Sequence, residues 1–134
     1  MICYQRESVT APQFADILGR SELGQRRPVD DTPRLQRMLE GADLIITARS
    51  ASQGKLIGIA RSLTDWSYAC YLSDLAVDHD YQGKGIGKRL IDLVREHAGE
   101  ESMCLLVSAS DSVDFYHRIG MPSTDRAFLF PRAQ

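Results

Sequence analysis

No apolar stretch in the 134-residue chain approaches the roughly 20 residues that a helix needs to cross a bilayer, so no helical membrane span is expected. The opening residues Met1 to Glu7 lack the apolar core of a signal peptide, and a cytoplasmic protein is the expectation. Cysteine is scarce and odd in number: Cys3, Cys70 and Cys104 each fall inside an expected strand. That pattern favours buried free thiols over a disulfide framework or a reactive nucleophile. The three histidines, His79, His97 and His117, make no metal-site spacing with these cysteines, and no metal is expected. A formal charge of −2 and the lack of a long basic block leave no electrostatic footprint for nucleic acid, only a local basic patch over 84–95. Internal repeats and low-complexity linkers are missing too.

What is present fits one domain spanning residues 1–134, with 43% apolar and 25% charged residues. A chain of this length buries roughly two-thirds of its extended surface. Ile2 to Glu7 reads as a strand. Thr10-Ala11-Pro12 starts a helix whose apolar face is Phe14, Ile17 and Leu18 and whose stop is Gly19. Arg20 to Asp31 has no clear period and reads as a mobile loop or a loosely held helix end. Thr32-Pro33 opens a short helix ending near Gly41. Leu44 to Arg49 and Lys55 to Ser62 form a hairpin through Ser50 to Gly54, and a turn at Thr64 to Ser67 leads to a long strand, Cys70 to Val77. These connections are too short for crossovers, so the first strands are antiparallel. Ile86, Leu90, Ile91, Val94 and Ala98 recur at helical spacing, Met103 to Ser108 is a buried strand, 112–119 a helix, and Ala127 to Pro131 a last strand. Strand, helix and strand from Cys70 to Ser108 make one parallel, right-handed βαβ unit.

Between that long strand and its helix lies Tyr81-Gln82-Gly83-Lys84-Gly85-Ile86-Gly87-Lys88. Glycines permit positive backbone torsions and let a ligand approach the main chain. The helix that follows has unpartnered N–H groups and a partial positive charge at its mouth, so a phosphate or diphosphate is the expected guest. Gln82, Lys84 and Lys88 add donors, and no acid interrupts the run from Tyr81 to Arg89. Such a glycine-rich connection also occurs as a plain tight turn. A Walker-type loop is excluded because Arg89 stands where a magnesium-binding hydroxyl is needed. A dinucleotide fingerprint needs G-x-G-x-x-G, whereas Gly83, Gly85 and Gly87 alternate, and too few residues follow for further βαβ units.

Gln82 to Gly87, after Leu75-Ala76-Val77 and Tyr81, resembles the acyl-CoA-binding signature of the GNAT superfamily of N-acyltransferases. Ser112-Val113-Asp114-Phe115-Tyr116-His117-Arg118-Ile119-Gly120-Met121 resembles that family's following helix, with Met121 in place of its usual last Phe. Both blocks lie in about the last half of the chain. The resemblance implies an α/β fold, GNAT-like, with a mixed, mostly antiparallel central sheet flanked by about four helices, the parallel βαβ unit carrying the glycine-rich loop. It implies acetyl-CoA as co-substrate, bound by main-chain groups of Gly83, Lys84, Gly85, Ile86, Gly87 and Lys88. Gln82 would fix the turn, Leu75, Ala76 and Val77 would meet the pantetheine arm, and Phe115 would pack nearby. Lys84, Lys88 or Arg89 would meet the 3′-phosphate or else be merely solvated.

Acyl transfer to an amine needs a neutral amine, and an alkylamine of pKa about 10.4 is only about one part in two thousand neutral at pH 7. A proton acceptor is therefore useful. The resemblance places Tyr116 as proton donor to the departing sulfur. Asp74 is a carboxylate inside an apolar strand and is either the base or a carboxylate held by an arginine for structure. Tyr71 lies near where some members carry an acid and would line a water path; Tyr81, His79 and His117 are lesser candidates.

The acceptor pocket is expected from Arg20 to Asp31, Trp66-Ser67-Tyr68 and the chain near Phe128. Its aromatics suit an aromatic or alkyl amine, and the neighbourhood resembles plastid-type amine acetyltransferases of the superfamily. The leading reading is acetyl transfer to a primary amine of a small molecule or peptide. A silent acyl-CoA-binding sensor or partner module and a dinucleotide-binding domain stand beside it. Small domains of the family often pair, so a homodimer is open, although no stretch marks its surface.

Overall fold

The computed structural model describes residues 1–134. In chain order the elements are β1 (Ile2–Arg6), α1 (Ala11–Gly19), α2 (Thr32–Glu40), β2 (Leu44–Ser50), β3 (Leu56–Thr64), β4 (Ala69–Val77), a 3-10 turn at His79–Tyr81, α3 (Ile86–Ala98), β5 (Met103–Leu105) and α4 (Val113–Arg118). The sheet order is β1-β2-β3-β4-β5, antiparallel except for the parallel β4–β5 pair. This is the mixed sheet with four helices that the sequence led us to expect.

The helix starts follow local chemistry. Thr10 accepts from the Gln13 N–H while the Gln13 side chain accepts from the Thr10 N–H, a reciprocal cap that satisfies two end groups of α1. For α2 the cap is Asp31, one residue before the expected Thr32 start. The sheet is covered on both faces. On one side Leu90, Ile91 and Val94 of α3 pack on Ile46, Ile57 and Leu72; on the other Phe14, Ile17 and Leu18 of α1 and Leu35 of α2 pack on Ile59 and Ala76.

One residue decides how β4 serves both faces. Arg61 of β3 lies opposite Asp74 and Ser62 opposite Leu72, so Ser73 is an extra residue with no partner across the ladder. Such a bulge breaks strict alternation. Cys70 and Leu72 therefore point to the α3 side, while Ala76, also even-numbered, joins the α1 side.

Two expected strands come out differently. The strand expected over Met103 to Ser108 ends at Leu105, because β5 pairs with β4 only over Ala69 to Tyr71 and the two chains then part. The strand expected over Ala127 to Pro131 does not form. Phe128 is 96% and Phe130 100% exposed. Apolar, β-favouring sequence makes a strand only where a neighbour supplies a ladder, and this segment pairs with no strand of the chain.

Nor are all three thiols buried as expected: Cys70 is, Cys104 is half-buried, and Cys3 on edge strand β1 is exposed. Burial pushes the Cys104 thiol up to about 11 and also raises that of Cys70, which leaves both in the unreactive thiol form.

Candidate active site

Where β4 and β5 part, a cavity of about 340 Å³ opens, and Leu72, Ser73, Leu75, Ala76 and Val77 form one wall. Leu106 and Val107 beyond β5, Phe115, Tyr116 and Ile119 of the α4 segment, and Ser21, Glu22 and Leu23 after α1 supply the rest. The floor is Tyr81, Gln82, Gly83, Gly85, Ile86, Gly87 and Lys88.

The glycine turn is shaped by its backbone torsions. Gly83 and Gly85 have φ of 78° and 80°, the left-handed region, and a Cβ at either would meet nothing within 4 Å. Their backbone, not crowding, demands glycine. Gly87 differs: an added Cβ would lie 2.8 Å from Phe115 Cζ, so this glycine admits the aromatic ring of α4 rather than a ligand. The first internal bond of α3 runs from the Arg89 N–H to the Gly85 carbonyl at 3.0 Å, and no side chain caps the helix. The N–H groups of Gly83 through Lys88 consequently donate to no group of the chain. Gln82 Nε2 donates to the Val77 carbonyl at 3.2 Å, which ties the turn to the end of β4.

The profile of the Acetyltransferase (GNAT) family matches residues 11–121, most of the chain and both sides of this cavity. The chain belongs to the GNAT acetyltransferase family. Among related proteins, GCN5-related N-acetyltransferase 2, chloroplastic, of Arabidopsis thaliana is 35% identical over 86 residues, 60% of this chain and 31% of that protein. The chain thus spans about a third of the length of that relative. A candidate acetyltransferase of Deinococcus radiodurans R1 has a solved structure with 30% identity, a TM-score of 0.72, and coverage of 96% of this chain and 87% of that one. An aminoglycoside N-acetyltransferase solved in complex with CoA is 15% identical with a TM-score of 0.72, covering 100% and 96%, and shares the fold.

Around this GNAT cavity, two arginines anchor the segment between α1 and α2. Arg20 ion-pairs with Asp78, reaches the Leu56 carbonyl at 2.8 Å, and accepts at its own carbonyl from the His79 N–H at 2.9 Å. The end of α1 is thereby fastened just before the glycine turn. The Asp78 carboxyl is itself held below the usual carboxylate range: burial works against this, but the Asp80 N–H, Arg20 and Lys55 outweigh it. Arg27 binds Asp74 and also donates to the Ser73 carbonyl at 3.0 Å. The segment expected to be mobile or loosely held is therefore pinned at both ends.

Asp74 itself is completely buried. One carboxylate oxygen accepts from Arg27 Nε and the other from Arg61 Nε, and the residue is not part of the cavity wall. Arg61 continues to the Ser73 hydroxyl at 3.0 Å and the Met38 carbonyl at 3.1 Å. Each of the two Asp74 oxygens is thus taken up by a guanidinium. This geometry is that of a clamp.

Tyr116 lies on the cavity wall, its ring 5.0 Å from that of Phe115 in an edge-on contact. Burial, with Glu22's charge adding to it and Arg27 opposing, pushes the phenol up to about 12. It keeps its proton throughout the neutral and mildly alkaline range.

Other expected residues fall outside. Trp66 and Tyr68 sit at the opposite end of β4 from the glycine turn, with the Arg6 guanidinium 5.0 Å from the Trp66 ring; neither they, Tyr71 nor Phe128 lines the cavity. His79 and His117 lie off the wall as well, whereas Tyr81 is on it. Lys84 is not part of the wall, Lys88 Nζ is held by Asp92 at 3.0 Å, and Arg89 pairs with Glu96.

Ser21, Glu22 and Leu23 bring the expected Arg20 to Asp31 segment to the wall, whereas Ser73, Leu106, Ala109 and Ser112 line it without any signal in the sequence. Ser112 starts α4 without capping it; its hydroxyl donates instead to Glu22 Oε2 at 2.9 Å.

Proposed function

We propose that residues 1–134 act as one domain that moves the acetyl group of acetyl-CoA to a primary amine of a small molecule or peptide. The observation carrying this reading is one cavity lined both by Tyr116 and by the glycine turn, whose amides from Gly83 to Lys88 have no partner in the chain. Those amides suit a diphosphate. The parted edge of β4, with Leu75, Ala76 and Val77, suits the amide-bearing pantetheine arm, which would add to it as a peptide adds to an open strand. Phe115 fills the space beside Gly87 and keeps α4 against the turn.

In this reading Tyr116 protonates the sulfur as the carbon–sulfur bond breaks. Asp74 fixes Arg27 and Arg61 and so sets the shape of the wall, taking no proton itself. The test is release of free thiol from acetyl-CoA in the presence of a panel of primary amines. Turnover with at least one amine is expected; calorimetric CoA binding without thiol release from any of them would favour a silent acyl-CoA module.

The cradle predicts a second result. Gly85→Ala places an L-residue at φ 80°, which costs about 1–2 kcal/mol unless the turn rotates and disperses its amides. CoA affinity, measured by calorimetry, should fall about ten-fold. Unchanged affinity would mean that the turn does not hold the cofactor.

A further inference from the structure

The wall of the cavity has one carboxylate, Glu22. Asp16 and Asp78 pair with Arg20, Asp74 with Arg27 and Arg61, and Asp111 with Arg26, but no cation lies within ion-pair distance of Glu22. Its single hydrogen bond is the one from the Ser112 hydroxyl to Oε2. Glu22 and Tyr116 line the same cavity, and the charge of Glu22 acts on the phenol. Oε1 of Glu22 is free of any bond from the chain. Its position is secured from below, because Arg20 and Arg27 fasten the segment on either side of it.

We propose that Glu22 is the acceptor-side group of this enzyme: it binds the ammonium of a cationic alkylamine and takes its proton. This assignment rests on the acetyltransferase reading above. An uncompensated carboxylate on a mostly apolar wall is a favourable partner for a cation brought in from water. Its chemistry closes as follows. The ammonium gives one proton to a Glu22 oxygen and becomes a neutral amine. The nitrogen lone pair forms the bond to the thioester carbonyl carbon, and the carbon–sulfur bond breaks with its electron pair on sulfur. The Tyr116 hydroxyl protonates that sulfur, and the surplus proton on nitrogen passes to the phenolate. An amide and a thiol leave, and the Glu22 carboxylic acid returns its proton to water.

The two groups assist one another. Glu22's negative charge is, after burial, a cause of the high Tyr116 pKa. Once Glu22 is protonated that cause lapses, and the phenol becomes the better donor at the moment the sulfur needs one.

Glu22 is exposed, so its substitution leaves the core intact. The experiment compares an alkylamine, a cation at neutral pH, with an arylamine that is neutral there. Glu22→Gln should lower kcat/KM for the alkylamine by about 10²-fold while leaving that for the arylamine within about 3-fold and the KM for acetyl-CoA unchanged. Glu22→Asp should restore part of the loss. Equal losses with both amines, or none with either, would overturn the assignment while wild-type turnover keeps the acetyltransferase reading. A wild-type chain inactive with both amines, and with every other amine, would remove that reading and this one together.

Discussion

Asp74→Asn is expected to destabilise the fold by about 3–5 kcal/mol, the usual result of removing one member of a buried charge cluster. The substitution leaves Arg61 and Arg27, with side chains only 7% and 20% exposed, facing a neutral amide. It also loosens the hold on the segment that carries Glu22, so the KM for the acceptor should rise. Urea unfolding gives the first quantity and steady-state kinetics the second. The outcome discriminates between two roles for this residue. A clamp predicts a large drop in unfolding midpoint. A base predicts an unchanged midpoint with a collapsed kcat, and that result would restore the proton-accepting role considered from the sequence.

Tyr116→Phe removes one oxygen and should lower kcat by about 10²-fold or more, the range for loss of a positioned acid. The phenyl ring retains the edge-on contact with Phe115, so CoA affinity should change by less than about two-fold. The phenol, at about 12, holds its proton more tightly than a thiol of ordinary pKa about 8.5. Donation to sulfur is therefore uphill unless the phenolate is at once reprotonated from the amine nitrogen, as the sequence of proton moves above provides. A Tyr116→Phe enzyme of unchanged kcat would show that water protonates the thiol.

The glycine turn, β4 and α3 were legible because their signals are local: an apolar run, alternating glycines, then helical period. Gly87 shows the limit of that reading, since its reason is a ring brought in from Phe115 and not a torsion. Ser73 gives no sign of its bulge, having neither glycine nor proline beside it, yet it changes the face of every later residue of β4. The meaning of Asp74 depends on Arg27, 47 residues away, and that of Glu22 on Ser112, 90 residues away. Both fall to long-range packing that no spacing pattern encodes. Phe128 and its neighbours show the converse failure: a sound strand pattern without an adjoining strand.

The central claim is that the main chain of the glycine turn holds the CoA diphosphate. Titration of isotope-labelled protein with CoA, followed by amide NMR, tests it most directly. The account predicts that the amide resonances of Gly83 through Lys88 shift together and saturate with CoA, with Tyr116 responding when acetyl-CoA is used. Saturable shifts confined to other residues, with these amides unmoved, would contradict it.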